Sequence, residues 1–350
     1  MTDGTVITDN PVRAARSVRD AEEFCERLLP RVSRTFAISI RLLPGELGRS
    51  VLCAYLLCRV ADTIEDEHNR SAGDKARLLD AMLVAFSGVA EANAFQAQCA
   101  NVTGDPAHAE LVHGAADVFT LWRDLPERSR EHVRRWVDEM VRGMRKIVLA
   151  HPSGVRLQTL DDYREYCYYV AGTVGYMLTD LWREHSPPVT ERVYDALKLK
   201  ARAFGEALQT VNILKDVAVD AERENNIYIP EQLLRAHGSS HATILSPAHE
   251  TANHAALATL IQLAWKNLDD ARDYLLLVPR RAFAVRLFCV LPLLYAYATL
   301  RELTKSRAML RSGGNVKISR REVRTLMFAG MALACSNSGI AWLVRRVRRA

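Results

Sequence analysis

Apolar residues return every three or four positions through most of this chain, and that spacing dictates helices. It is clearest in AEEFCERLLPRVSRTFAISIRLL (21–43), VLCAYLLCRVADTIEDEHN (51–69) and ARAFGEALQTVNILKDVAVDAERE (201–224). The two-residue alternation of strands is scarce. Breakers fall between the runs, at Pro44-Gly45, Gly104-Asp105-Pro106, His151-Pro152-Ser153-Gly154, Pro187-Pro188, His237-Gly238-Ser239 and Ser312-Gly313-Gly314. No fixed-period repeat, low-complexity tract or composition break marks a second domain. The expectation is one all-α domain, a large bundle of about ten helices with its site in the middle.

Two stretches are costly for a helix unless something cationic binds there. Asp62 and Asp66 stand four residues apart, with Glu65 on the same face, after Leu56, Leu57, Val60 and Ala61. Asp216 and Asp220 repeat that spacing, with Asn212 one turn before them. Like charges at this spacing repel. Acids on a stripe preceded by apolar residues point into a cavity rather than into water. Magnesium takes oxygen ligands and shares them with phosphate. Two facing Asp-x-x-x-Asp turns would hold such ions against a diphosphate and neutralise it as it leaves. Arg34, Arg59 and Lys215 lie close by in sequence. One such turn alone is usually a solvated face; two embedded in apolar sequence are less easily dismissed. The motifs of zincins, P-loop enzymes and serine hydrolases are absent.

The 350 residues suffice for a sizeable core, and 47 Lys and Arg against 41 Asp and Glu leave a mild positive balance. Part of it sits at the end, in Arg345, Arg346, Arg348 and Arg349. That end suits an anionic membrane surface or nucleic acid, or is simply a solvated helix end with cations near the negative pole of its dipole. The cysteines at 25, 53, 58, 99, 167, 289 and 335 form no CxxC pair and read as buried thiols of a reducing compartment. The first residues lack the order of a signal peptide. Residues 325–344 carry no charge and reach membrane-spanning length, but Ser336, Asn337, Ser338 and Gly339 interrupt them. A buried terminal helix is the favoured reading. The run 287–300 reads as a core helix kinked by Pro292.

In combination, SRTFAISIRLLP (33–44), YLLCRVADTIEDE (55–67), YREYCYYVAGTVGYMLTDLW (163–182) and LQTVNILKDVAVDAERENNIYIP (208–230) resemble the squalene/phytoene synthase family. The blocks VRLFCVLPLLYAYATL (285–300) and GGNVKISRREVRTLM (313–327) look closer to its squalene-forming members. The resemblance implies an isoprenoid synthase fold over residues 21–345, between an N-terminal extension (1–20) and a basic tail (346–350). It implies head-to-head joining of two farnesyl diphosphates through presqualene diphosphate, then NADPH-dependent reduction to squalene, a sterol or hopanoid precursor. The alternative is a non-reducing relative that makes presqualene diphosphate, dehydrosqualene or phytoene. Magnesium, or manganese in its place, and NADPH are the implied cofactors. A monomer in the cytoplasm, at most peripheral on the inner membrane face and without a nucleic-acid partner, is the implied setting. A non-catalytic helical scaffold and a nucleic-acid binder are the readings from other classes.

Carried over residue by residue, the resemblance puts metal on Asp62, Glu65, Asp66, Asp216 and Asp220, and makes Tyr166 the catalytic tyrosine. Ser33, Arg34, Phe36, Tyr55, Arg59, Val170, Gly172, Asn212, Lys215, Arg223, Phe288 and Cys289 fall at substrate positions. Ser33, Arg34, Asn212, Lys215, Lys317 and Arg320 fall at cofactor positions. The chemistry suits these types. A carbocation needs a dry cavity and aromatic faces, for which Tyr166, Tyr169 and Phe288 are candidates. Tyr166 can also pass a proton towards released pyrophosphate. Gly172 and Gly175 would keep one helix narrow beside a prenyl chain. Each also has a plainer role: Tyr168, Tyr169 and Phe288 as core, Lys317 and Arg320 as surface charges. The chain departs from the family in two places. Lys215 replaces an arginine and loses its bidentate geometry. Asn226 stands where an arginine is common, in a loop one residue longer, and Arg223 is the candidate to reach back in its place.

Overall fold

The computed structural model describes residues 17–349. Of the expected extension, residues 1–16 therefore lie outside the described residues, and Ser17 already caps the first helix by accepting from the Asp20 N–H. Among the described residues there are sixteen α-helices. In chain order they are α1 (Val18–Val32), α2 (Arg34–Arg41), α3 (Gly45–Glu65), α4 (Ala72–Val84), α5 (Val89–Gln98), α6 (Pro106–His113), α7 (Ala115–Asp124) and α8 (Glu127–Ala150). They continue with α9 (Leu160–Cys167), α10 (Thr173–His185), α11 (Glu191–Val219), α12 (Glu231–Arg235), α13 (Glu250–Leu277), α14 (Phe283–Lys305), α15 (Arg320–Leu333) and α16 (Asn337–Arg349).

The count exceeds the ten expected because caps split periodic runs. The run 21–43 breaks at Ser33, which turns extended and accepts from the Phe36 N–H at 3.1 Å. Two other interruptions are single wide turns. Residues Tyr168–Gly172, between α9 and α10, and Asp220–Glu224, at the end of α11, wind as π-helix. Such turns take one extra residue without breaking the helix and often mark functional sites.

Helices α3, α8, α10, α11 and α14 frame the core, with α13 laid along α11. Helix α11 meets α10 and the wide turn before it closely enough to exclude any side chain at two points. A Cβ on Gly175 would lie 1.9 Å from the Ala201 carbonyl oxygen, and one on Gly205 would lie 1.9 Å from that of Ala171. Helix α14 is long and apolar enough to cross a membrane, yet 78% of its apolar window is buried inside the protein, and Pro292 sits within it. It is the expected core helix. The fully buried Arg286 on α14 ties it to its neighbours, donating to the carbonyls of Val278 at 2.5 Å and Ala334 at 2.5 Å and to Asn337 Oδ1 at 2.8 Å.

Residues 325–344 do not form one helix. The chain breaks between α15 and α16, where Ser336 caps the second by accepting from the Gly339 N–H. Both helices are amphipathic: Leu326, Ile340, Leu343 and Val344 are buried, while Phe328 and Trp342 are 65% and 52% exposed. Two helices, each with one wet face, therefore replace the single buried terminal helix expected there. The basic end stays helical to Arg349.

Candidate functional site

The first acidic turn is the C-terminal end of α3. Asp62, Glu65 and Asp66 gather where the helix dipole is negative, so the fold raises the cost of their charge rather than relieving it. Two groups brace the turn. Glu67 accepts from the backbone N–H and hydroxyl of Thr103. Lys75 on α4 donates to the Glu65 carbonyl at 2.6 Å, capping the helix end. The second turn belongs to α11 and the wide turn after it, which together carry Asp216, Asp220 and Glu224.

The two turns face each other. Burial raises Asp66 well above the carboxylate range, and Glu224 and Asp62 push it further. Burial, then Glu224, Asp216 and Asp66, lifts Asp220 to about 9. Glu65 is raised by burial and by Asp66 and Asp62. Against these acids stand few cations. Arg59 lies 3.4 Å from Asp62 and spans the Tyr55 ring, and Lys215 lies 2.9 Å from Asp216. Lys215 thus places its ammonium group inside the cluster.

Through Asp62 the first acidic turn reaches the lining of a cavity of about 160 Å³. Phe36 and Ile40 of α2, Tyr55 and Cys58 of α3, Phe204 and Leu208 of α11 and Phe288 of α14 give it an apolar wall. Phe36 joins Tyr55 and Phe288 at centroid distances of 5.8 and 6.4 Å. Val170, Gly175, Arg59, Asp62 and Asn212 also line it. Tyr166 is 4% exposed and stacks on Tyr228 at 4.5 Å. Burial raises its hydroxyl well above the phenol range, with Glu65 and Tyr228 adding to the effect. It therefore sits neutral beside the first acidic turn.

Other expected residues fall elsewhere. Cys289 is fully buried in the core, outside the cavity lining. Gly172 is not on that lining either; its missing side chain leaves room for the Tyr168 ring and Arg202. Tyr169 packs over Gly143 of α8 instead of facing the cavity. Ser33 is a helix cap, and the Arg34 side chain lies outside what the structure describes. Lys317 and Arg320 are exposed, but their segment runs beside the second acidic turn, where the Gly313 N–H donates to Glu222 at 3.3 Å.

Arg223 is exposed and does not reach back. Asn226 does not take the arginine's part, because its amide is committed to a strap. Its Oδ1 accepts from the Val155 N–H at 2.8 Å, and its Nδ2 donates to the Tyr228 hydroxyl at 3.2 Å. Asn225, at φ 53°, is clamped by Arg156 and by the Ser153 carbonyl. A single parallel bridge, Arg156 to Ile227, completes the strap. Sequence reasoning missed Glu224, Tyr228 and Lys75. Glu224 had a signal, since it continues the four-residue spacing of Asp216 and Asp220. Lys75 had none, because only the loop after α3 brings it back.

Hard oxygen donors of this kind fit a divalent cation. Glu65 Oε1 is buried without a hydrogen-bond partner, as expected of a ligand waiting for one. No three His, Cys, Asp or Glu side chains among the described residues converge tightly enough to hold an ion as they stand, so the fit rests on donor chemistry.

The family model for squalene/phytoene synthase matches residues 29–322. A squalene synthase of Arabidopsis thaliana is 26% identical over 299 residues, covering 85% of this chain and 68% of that protein. The chain spans about two thirds of the length of the plant relatives it matches. A ligand complex of TcSQS superposes with a TM-score of 0.79 at 22% identity, over 94% of this chain and 98% of that one. A ligand-bound dehydrosqualene synthase gives 0.64 at 23% identity, over 90% and 96%. These neighbours have the isoprenoid synthase fold, and the present chain shares it.

Proposed function

The chain belongs to the squalene/phytoene synthase family, and from that premise we propose that it joins two farnesyl diphosphates head to head and reduces the product to squalene. The observation that carries this reading is the pairing of acidic turns from α3 and α11, joined through Asp62 to an apolar cavity that Asn212 also lines. Asp62, Glu65, Asp66, Asp216 and Asp220 would hold magnesium, or manganese in its place, and the bound ions would neutralise the leaving diphosphate. Arg59 and Lys215 add fixed positive charge beside it. The apolar wall keeps water from the carbocation, and Phe36, Tyr55 and Phe288 offer it π faces without a nucleophile. Tyr166 and Tyr228 form a hydroxyl pair beside Glu65, placed to move the proton lost when the cyclopropane closes.

NADPH would supply hydride, and the segment 313–320, with Lys317 and Arg320, is the proposed site for its phosphates. The second reading is a non-reducing enzyme that stops at presqualene diphosphate or dehydrosqualene. The dehydrosqualene synthase among the structural neighbours and the exposure of both Lys317 and Arg320 favour it. Farnesyl diphosphate and magnesium, with and without NADPH, separate the two. Squalene only with NADPH supports the first reading; a product profile indifferent to NADPH removes it. Tyr166→Phe should lose turnover while still binding substrate, and full turnover would remove the tyrosine from the mechanism.

We also propose a monomer that works in the cytoplasm and rests on the inner membrane face through α16. Trp342, Arg345, Arg346 and Arg349 share one exposed groove there, and α16 carries no acid. A lipid product suits such a berth.

A further inference from the structure

Behind the carboxylates lies a second pocket, of about 230 Å³. It is built from the loop after α3, the start of α4, the end of α8 with its following loop, and the residues closing the second acidic turn. Glu65 and Glu224 form one wall, and Arg70, Lys75, His68 and His151 line the rest. The apolar cavity meets the same carboxylate group through Asp62 and is lined by Asn212 one turn before Asp216. The acids thus stand between a greasy chamber and a polar one. The cations of the polar chamber are underused. The Arg70 Nε–H is buried with no acceptor, and the one described carboxylate its charge visibly lowers is Asp74, on the exposed start of α4. A buried donor left unmatched is unfavourable unless an acceptor arrives. Lys75 spends one N–H on the Glu65 carbonyl and has two more to offer.

We propose that this pocket receives the inorganic pyrophosphate released in the reaction, an inference that rests on the prenyl-transfer reading above. The allylic C–O bond breaks and both its electrons leave on the oxygen. The anion passes behind the carboxylates to Arg70 and Lys75, while the carbon cation stays among Phe36, Tyr55 and Phe288. Opposite charges held together in a dry site attract strongly and recombine. Two chambers on opposite sides of one acidic partition keep them apart. Arg70 presents a fork of N–H donors suited to a phosphate. His151, held below the ordinary histidine range by burial, enters as a neutral hydrogen-bonding group.

The test is calorimetric titration of inorganic pyrophosphate, with magnesium present, into wild type, Arg70→Gln and Arg70→Lys. A parallel titration uses farnesyl thiodiphosphate, which reacts slowly. Arg70→Gln should weaken pyrophosphate binding about tenfold and leave the thiodiphosphate within about twofold, while Arg70→Lys recovers most of the loss. Pyrophosphate added to the turnover assay should lose inhibitory strength by the same factor. Unchanged pyrophosphate binding in Arg70→Gln overturns the proposal. So does parallel loss of both ligands, which would mean one shared site. Displacement of pyrophosphate by NADPH overturns it too, since the pocket would then serve the dinucleotide. Lys75→Gln is read by the same criteria if Arg70→Gln does not fold. Calorimetry needs no turnover, so Arg70-dependent pyrophosphate binding without conversion of farnesyl diphosphate would keep the pocket and remove the prenyl-transfer reading.

Discussion

Replacing Asp220 by Asn should make the metal-free protein more stable and the enzyme inactive. Its carboxyl is lifted from an ordinary 3.8 to about 9, first by burial and then by Glu224, Asp216 and Asp66. Between those two values the folded chain holds a proton that the unfolded chain has released. Stability from this group is therefore intact below pH 3.8 and is lost progressively as pH rises to 9. At roughly 1.4 kcal/mol for each tenfold change in proton affinity, the ceiling on that loss is about 7 kcal/mol. Partial exposure and rearrangement of the carboxylates reduce the realised figure to about 1–3 kcal/mol. A neutral amide of the same shape escapes it. In chelator at pH 8, Asp220→Asn should melt about 2–6 °C above wild type, and its melting temperature should fall less between pH 5 and 9. Magnesium should raise the wild-type melting temperature and recover much of its loss at high pH, while the variant responds weakly. A variant that melts below wild type in chelator at pH 8, with the same pH slope, would refute the claim that Asp220 sits in a mutually repelling cluster.

Gly175→Ala should cost about 1–3 kcal/mol in urea denaturation despite a helix-propensity gain of about 1 kcal/mol, because its methyl would meet the backbone oxygen of Ala201. Arg286→Met should cost about 2–4 kcal/mol by the same measurement, since it strands the Val278 and Ala334 carbonyls inside the core. Wild type should bind vesicles rich in anionic lipid and come off in high salt; Arg345→Gln with Arg346→Gln should weaken that binding by about thirtyfold, at about 1 kcal/mol per cation. Binding that survives both the substitutions and the salt would point to insertion rather than surface attraction.

The helices were legible because periodicity and breakers are local signals. Pro44, Pro106 and Ser312–Gly314 all fall at or between helix ends as read. Asp62, Asp66, Asp216 and Asp220 were legible because their spacing is local too. What escaped depends on contacts far apart in sequence. Lys75 reaches Glu65 only because the chain turns back after α3, and Asn226 is claimed by Val155, 71 residues away. Tyr169 and Gly172, one offered for its aromatic face and the other carried over from the resemblance, lie in the wide turn at 168–172 and off the cavity lining; nothing local in the sequence marks that turn.

Such a turn matters beyond this one chain. A wide turn accommodates an inserted residue without breaking the helix, so two chains can superpose closely and yet differ by one in the numbering of every residue past it. The stretch after Glu224 is where this matters most. Against a relative whose loop is one residue shorter, counting to Asn226 from the last aspartate and counting back from Pro230 would give different partners for the same side chain. Any transplant of residues between such proteins should be anchored on both sides of the turn, or the graft will present its neighbour instead.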